Sequence, residues 1–144
     1  MVQIDKINKT LSYHNLPTIK NILYVFPVEP QSAPRMTRSD RWKKRPVVTN
    51  YFNFKDNLRK YALINNFEIS PILNLLFLMP IPESYSNKKK DKLEYTPHDK
   101  KPDGDNLRKA FQDAFNSKLF DDGAIWYGNT IKLYSKFPAI IVFN

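Results

Sequence analysis

Four aspartates bracket one short stretch, Lys100 to Trp126, which reads KKPDGDNLRKAFQDAFNSKLFDDGAIW. Asp103 and Asp105 stand at its start, and Asp121 and Asp122 lie adjacent near its end. Carboxylates brought together repel one another, so a cluster of them needs a cation. The chain has no cysteine and only two histidines, His14 and His98, so the available ligands are hard oxygens. Such donors select Mg²⁺, with Mn²⁺ as a possible substitute. A divalent ion held in that way would activate water and stabilise the leaving oxygen of a phosphodiester. The bland alternative is that each group is local chemistry: Asp is a favoured helix N-cap, and Asp-Asp-Gly is an ordinary turn.

The element that must position these groups is a helix expected from Asp105 to Asn116. Leu107, Ala110, Phe111, Ala114 and Phe115 follow the spacing of a buried stripe. Asp105 and Lys109 are four residues apart and share a face, which would let Lys109 orient a phosphate or offset charge in a transition state. A helix of that length is roughly 18 Å long, so its two ends do not meet by themselves. The link from Asn116 to Phe120 must double back if Asp122 is to approach Asp103 and Asp105. A strand from Ala124 to Lys136 would provide the return.

The rest of the chain supplies a scaffold and cations. Residues 1–20 show no clear period and are expected as a loose arm or a short added element. A first strand is predicted over Asn21–Val28, and a long irregular loop over Ala33–Asn50. That loop carries Arg35, Arg38, Arg41, Lys43, Lys44 and Arg45 beside Met36 and Trp42. Such loops suit phosphate contact and base stacking, or are simply solvated. Tyr51–Asn65 reads as a helix with Phe54, Leu58, Tyr61, Leu63 and Ile64 as its apolar stripe. A buried strand is expected over Ile72–Met79. A short helix capped by Ser84 is expected to run to Leu93, pointing Lys88, Lys89 and Lys90 outward. A last strand covers Ala139–Phe143, and His98 reads as a turn residue.

Composition bounds the partner. The chain has 144 residues, enough for one domain with a single core. Its 23 basic residues against 14 acidic give a net charge of +9, which favours an anionic partner, nucleic acid before membrane. Cysteine nucleophiles, disulfides and thiolate zinc sites are excluded. The longest apolar run, Leu75–Met79, is far too short to span a bilayer, and no secretory signal is visible in Met1–Lys6. A cytoplasmic location is expected.

The run KPDGDNLRKAFQDAF, followed by Asp-Asp and a strand, resembles the RusA family of Holliday-junction endonucleases. That family shows an Asp-x-Asp-Asn run, a lysine six residues after the first Asp, and an acidic pair near the next strand. The APRMTRSDRWKKRP loop and the MPIPESYSNKKK segment are also similar to phage and bacterial members. The resemblance covers roughly residues 22–143 and leaves a prophage origin open. It implies an α/β (α+β) fold, with a small mixed β-sheet of about four strands and two or three helices. It also implies a homodimer, Mg²⁺ dependence and cleavage of branched DNA, the four-way junction above all. By that resemblance Asp103, Asp105 and Asp122 match the metal-binding catalytic aspartates and Lys109 the catalytic lysine. Asp121 matches a neighbouring acidic position, and Lys101 joins the basic residues facing DNA. Gly104 departs from the family, which commonly has an apolar residue there, and the first twenty residues have no family counterpart. A nuclease for other branched DNA and a non-catalytic DNA-binding protein of the same fold stay as alternatives.

Overall fold

The computed structural model describes residues 2–144. In chain order its elements are α1 (Ile4–Tyr13), β1 (Ile22–Phe26), a 3-10 helix at Arg38–Arg41, α2 (Pro46–Ile64), β2 (Asn74–Pro80), α3 (Asn87–Leu93), α4 (Gly104–Phe115), a second 3-10 helix at Asp122–Ala124, β3 (Thr130–Ser135) and β4 (Ala139–Phe143). The strands form one mixed sheet in the order β1-β4-β2-β3. β2 pairs in parallel with β3 and antiparallel with β4, and β1 pairs antiparallel with β4. The α+β class and the four strands match the sequence expectation, with four α-helices where two or three were expected.

β2 explains why its sequence is a continuous apolar run. A strand covered on both faces has no side for polar residues. Leu75, Phe77 and Met79 join a core beneath α2 and α4, with Phe54 and Leu58 from one helix and Leu107 and Phe111 from the other. Leu76 and Leu78 face the opposite core, with Leu133, Ile141 and Tyr95.

That second core is closed by α1, so residues 1–20 are not a loose arm. Ile7 and Leu11 are buried there. Asn8 exchanges two hydrogen bonds with Ile19, accepting from its N–H at 2.7 Å and donating to its carbonyl at 2.9 Å. Thr10 donates to the carbonyl of Tyr95 at 2.8 Å. The helix escaped the sequence reading because so few apolar positions mark its face.

Three other boundaries shift, and so does the buried face of one helix. α2 begins at Pro46, inside the stretch expected as loop, because proline is at home in a first helical turn. Its buried stripe is Val48, Tyr51, Phe54, Leu58 and Ala62, while Leu63 and Ile64 lie 81% and 66% exposed. α3 is capped by Ser86, whose hydroxyl accepts from the N–H of Lys89, and not by Ser84. The strand expected over Ala124–Lys136 shortens to β3. Among the described residues no helix is long and apolar enough to cross a membrane.

Candidate active site

α4 begins at an aspartate. Asp103 is its N-cap residue, with extended backbone, and its carbonyl accepts from the N–H of Leu107 at 3.1 Å. Its carboxylate makes no capping bond and instead meets the ammonium of Lys101 at 2.9 Å. Asp105 lies exposed in the first turn, where the partial positive charge of the helix end stabilises an anion. Lys109 is exposed one turn further on. The buried stripe Leu107, Ala110, Phe111 and Ala114 fixes which way the helix faces.

Two cations fix where it stands. The guanidinium of Arg108 donates to the carbonyl of Leu73 at 2.5 Å, to the hydroxyl of Thr130 at 3.2 Å and to the carbonyl of Asn129 at 3.4 Å. It therefore ties α4 to the starts of β2 and β3 together. From β3, Lys132 donates to the carbonyls of Lys100 at 2.5 Å and Pro102 at 2.8 Å, the turn that leads into Asp103. The Lys101–Pro102 peptide is cis. Neither cation was singled out from sequence, and no signal there could have done so, since their partners are mostly carbonyls of distant segments. Gly104, the departure from the family pattern, faces β3: a Cβ there would lie 3.4 Å from the methyl of Thr130.

The chain does double back after α4. Ser117 and Phe120 exchange backbone hydrogen bonds at 2.9 and 3.3 Å. The 3-10 helix at Asp122–Ala124 then packs against α4. Asp121 is its N-cap, its carboxylate accepting from the N–H of Gly123 at 3.0 Å. Beyond it Trp126 donates to the carbonyl of Pro71, and the carbonyls of Tyr127 and Asn129 accept from Leu73 and Leu75. The return thus runs beside the start of β2 and delivers Thr130 next to Gly104.

The structure brings Asp103 and Asp105 onto one helix start and sets Asp122 on the neighbouring element. It does not close them into a cage. Among the described residues no three carboxylate or imidazole groups are near enough together to hold a metal ion. The donor chemistry suits a hard divalent cation, since the side chains are carboxylates and Asp103 and Asp105 are exposed. Histidine nitrogen takes no part. His14 is exposed, and His98 packs edge-on to Tyr134 at 4.6 Å with its Nδ1 buried and unpaired. Burial, reinforced by the charge of Lys132, pushes the pKa of His98 down.

The basic residues divide into free and committed. Arg35, Arg38, Arg41, Lys43 and Lys44 are exposed around the 3-10 helix, beside Trp42 at 76% exposure. Arg45 differs from the expectation. Its guanidinium grips both carboxylate oxygens of Asp40 at 2.6 and 2.8 Å and reaches the carbonyl of Arg35 at 3.1 Å. That pair, together with the N–H of Thr37 on Asp40, holds the Asp40 carboxyl far below the usual range. Arg45 therefore folds the loop and does not stand free for phosphate. Lys101 is likewise engaged, by Asp103. Lys88 and Lys89 are exposed on α3 and Lys90 is partly covered, with Lys89 lying over the ring of Tyr85 at 3.7 Å. Lys136 pairs with Asp91 at 2.7 Å and fastens α3 to the end of β3.

No curated protein and no solved structure matches this chain. The sequence model of the endodeoxyribonuclease RusA family does match, over residues 25–143. That span runs from within β1 to the end of β4, includes all four aspartates and both fastening cations, and leaves out only α1 and the residues around it. By a match of that extent, the chain belongs to the RusA family of endodeoxyribonucleases.

Proposed function

We propose that the protein resolves four-way DNA junctions by paired phosphodiester hydrolysis, acting as a homodimer with a divalent cation, Mg²⁺ or Mn²⁺. The observation that carries this reading is the fastening of α4. Arg108 and Lys132 hold the helix start that bears Asp103 and Asp105, beside the 3-10 helix bearing Asp122, within a chain of an endodeoxyribonuclease family. Asp103, Asp105 and Asp122 do not form a closed cage and would hold the cation together with water and substrate phosphate, and when bound it supplies the charge that activates water and stabilises the leaving oxygen. Asp121 is the weaker candidate, because one of its oxygens is spent on the N–H of Gly123.

The chain's own residues account for the remaining roles. Lys109, exposed and one turn beyond Asp105, orients the scissile phosphate. Arg35, Arg38, Arg41, Lys43 and Lys44 contact the phosphates of one arm, and Lys88, Lys89 and Lys90 those of another. Trp42, exposed among the first set, offers a stacking face. A junction is cut in two strands related by a two-fold axis, and one site per chain calls for a C₂ pair.

The test uses labelled four-way junction, flap and linear duplex with Mg²⁺ or EDTA, beside Asp105→Asn. The reading expects symmetric cuts in the junction, lost in EDTA and lowered at least about a hundredfold by Asp105→Asn, with junction binding retained. Faster cutting of the flap would move the substrate to other branched DNA. Binding without cutting in either metal would favour a non-catalytic DNA-binding protein.

A further inference from the structure

We infer that Lys132 is a positioning residue of the site: from the sheet it holds the turn that presents Asp103. The inference rests on the reading in which Asp103 serves catalysis. Lys132 lies in β3 opposite Phe77 of β2. Its neighbours Ile131 and Leu133 belong to the core beneath α1, so strand alternation sends Lys132 to the other face, the one α4 covers. A lysine at an exposed strand end normally extends into water. This one is half-buried, and its ammonium is turned onto the carbonyls of Lys100 at 2.5 Å and Pro102 at 2.8 Å.

The two acceptors are what give the contact its consequence. They lie two residues apart, on either side of Lys101, so bonding both fixes the orientation of the turn as well as its position. Asp103 follows at once, and its carbonyl is already bound into α4 by Leu107. The first aspartate is thus held from the helix on one side and from the sheet on the other. Lys132 makes no ion pair among the described residues, so its partial burial is offset by these two charge-assisted bonds. Without the ammonium, two carbonyls lose their partner, and residues 99–102 are tied only at their ends, through α4 and through the N–H of His98 on the backbone carbonyl of Lys132. Misplacement of a reacting group by about 1 Å can lower a rate by about a hundredfold.

The experiment compares the full chain with Lys132→Met and Lys132→Arg by hydrogen exchange and by single-turnover cleavage of a four-way junction. Lys132→Met should speed exchange of the Leu107 N–H, which is bonded to the Asp103 carbonyl, by about tenfold or more, with β2 and α2 unchanged. It should lower the cleavage rate constant by about thirtyfold or more while junction affinity stays within about threefold. Arginine can reach both carbonyls, and Lys132→Arg should recover most of the rate. Parent-like exchange of the Leu107 N–H in Lys132→Met, or cleavage within about threefold of the parent, would overturn the inference. So would a rise in exchange over the whole chain in both variants, which would make Lys132 a folding residue. If the parent chain cuts no DNA, the proposed function fails, while the exchange arm still decides whether Lys132 holds the turn.

Discussion

Lys101 straddles the carboxylate of Asp103, its Nζ 2.9 Å from one oxygen and 3.1 Å from the other. The pair is exposed on both sides, and such pairs are worth about 0–1 kcal/mol. A divalent cation bound at Asp103, as proposed, would displace Lys101 at little cost and free its charge for phosphate. Lys101→Met is expected to raise divalent-cation affinity by up to about fivefold, measured by calorimetry without DNA. In the presence of the cation the same change should reduce the slope of log affinity against log salt for junction DNA by about 0.9, the loss of one phosphate contact. Unaltered cation affinity would mean that the ammonium does not compete for the carboxylate.

The Asp40–Arg45 pair makes the basic loop sensitive to acid. Asp40 has a side chain only 6% exposed and a carboxyl held far below the usual value of 3.8, first by the hydrogen bond from Arg45 and then by the N–H of Thr37. A depressed folded-state pKa stabilises the fold above the unfolded value, and the contribution is lost as pH falls through the folded one. The difference in melting temperature between the parent and Asp40→Asn should be constant near neutrality. It should shrink as the pH drops below 3.8. Trp42 fluorescence, following the loop itself, should lose its native signal earlier in Asp40→Asn. A difference that persists unchanged to about pH 2 would contradict the linkage.

Gly128 lies against the backbone of Leu73, the residue before β2. A Cβ there would overlap the carbonyl of Leu73 and crowd the guanidinium of Arg108. Gly128→Ala must push the return segment away from β2 and strain the bond that fastens α4. A loss of about 1–3 kcal/mol in urea unfolding is expected, typical of forced overpacking. With Arg108→Met the effects should fall short of additive, because both changes disturb the same contact. Additive losses would place the two residues in separate contacts.

The helix α1 is expected to matter for stability and not for chemistry. Leu11, on its buried face, is 2% exposed, and the family match begins beyond the helix at residue 25. Leu11→Ala should cost about 2–4 kcal/mol. Junction cleavage well below the melting temperature should stay near the parent rate. A loss of cleavage in a fully folded Leu11→Ala would place α1 in the substrate path.

What was legible in the sequence follows from how local each cause is. α4 announced itself through five apolar residues at helical spacing, β2 through an unbroken apolar run, and β4 through AIIVF, whose five residues are all buried. α1 was missed because Ile7 and Leu11 are its only buried positions. The start of α2 was missed because a proline followed by two valines reads as extended chain. The candidate aspartates were visible as a motif, yet their mutual distance was not, since it depends on how residues 116–129 return along β2. Arg45 looked like its basic neighbours, and only the fold gives it Asp40 as a partner. Arg108 and Lys132 bind carbonyl groups, which every residue carries, and so leave no mark in the sequence.

β4 lies between β1 and β2, and it is the strand on which the others depend. Ile22 pairs with Phe143 and Phe26 with Ile140, partners more than a hundred residues apart in the chain. Contacts of such long sequence separation form late and slowly. While the polypeptide is still being made, β1 and β2 have no neighbour to share until residues 139–143 have emerged. The platform beneath α4 therefore cannot be complete on a ribosome-bound chain that ends before β4. Because β4 lies inside the sheet, a chain cut short before residue 139 would leave β1 unpaired and β2 with one partner in place of two.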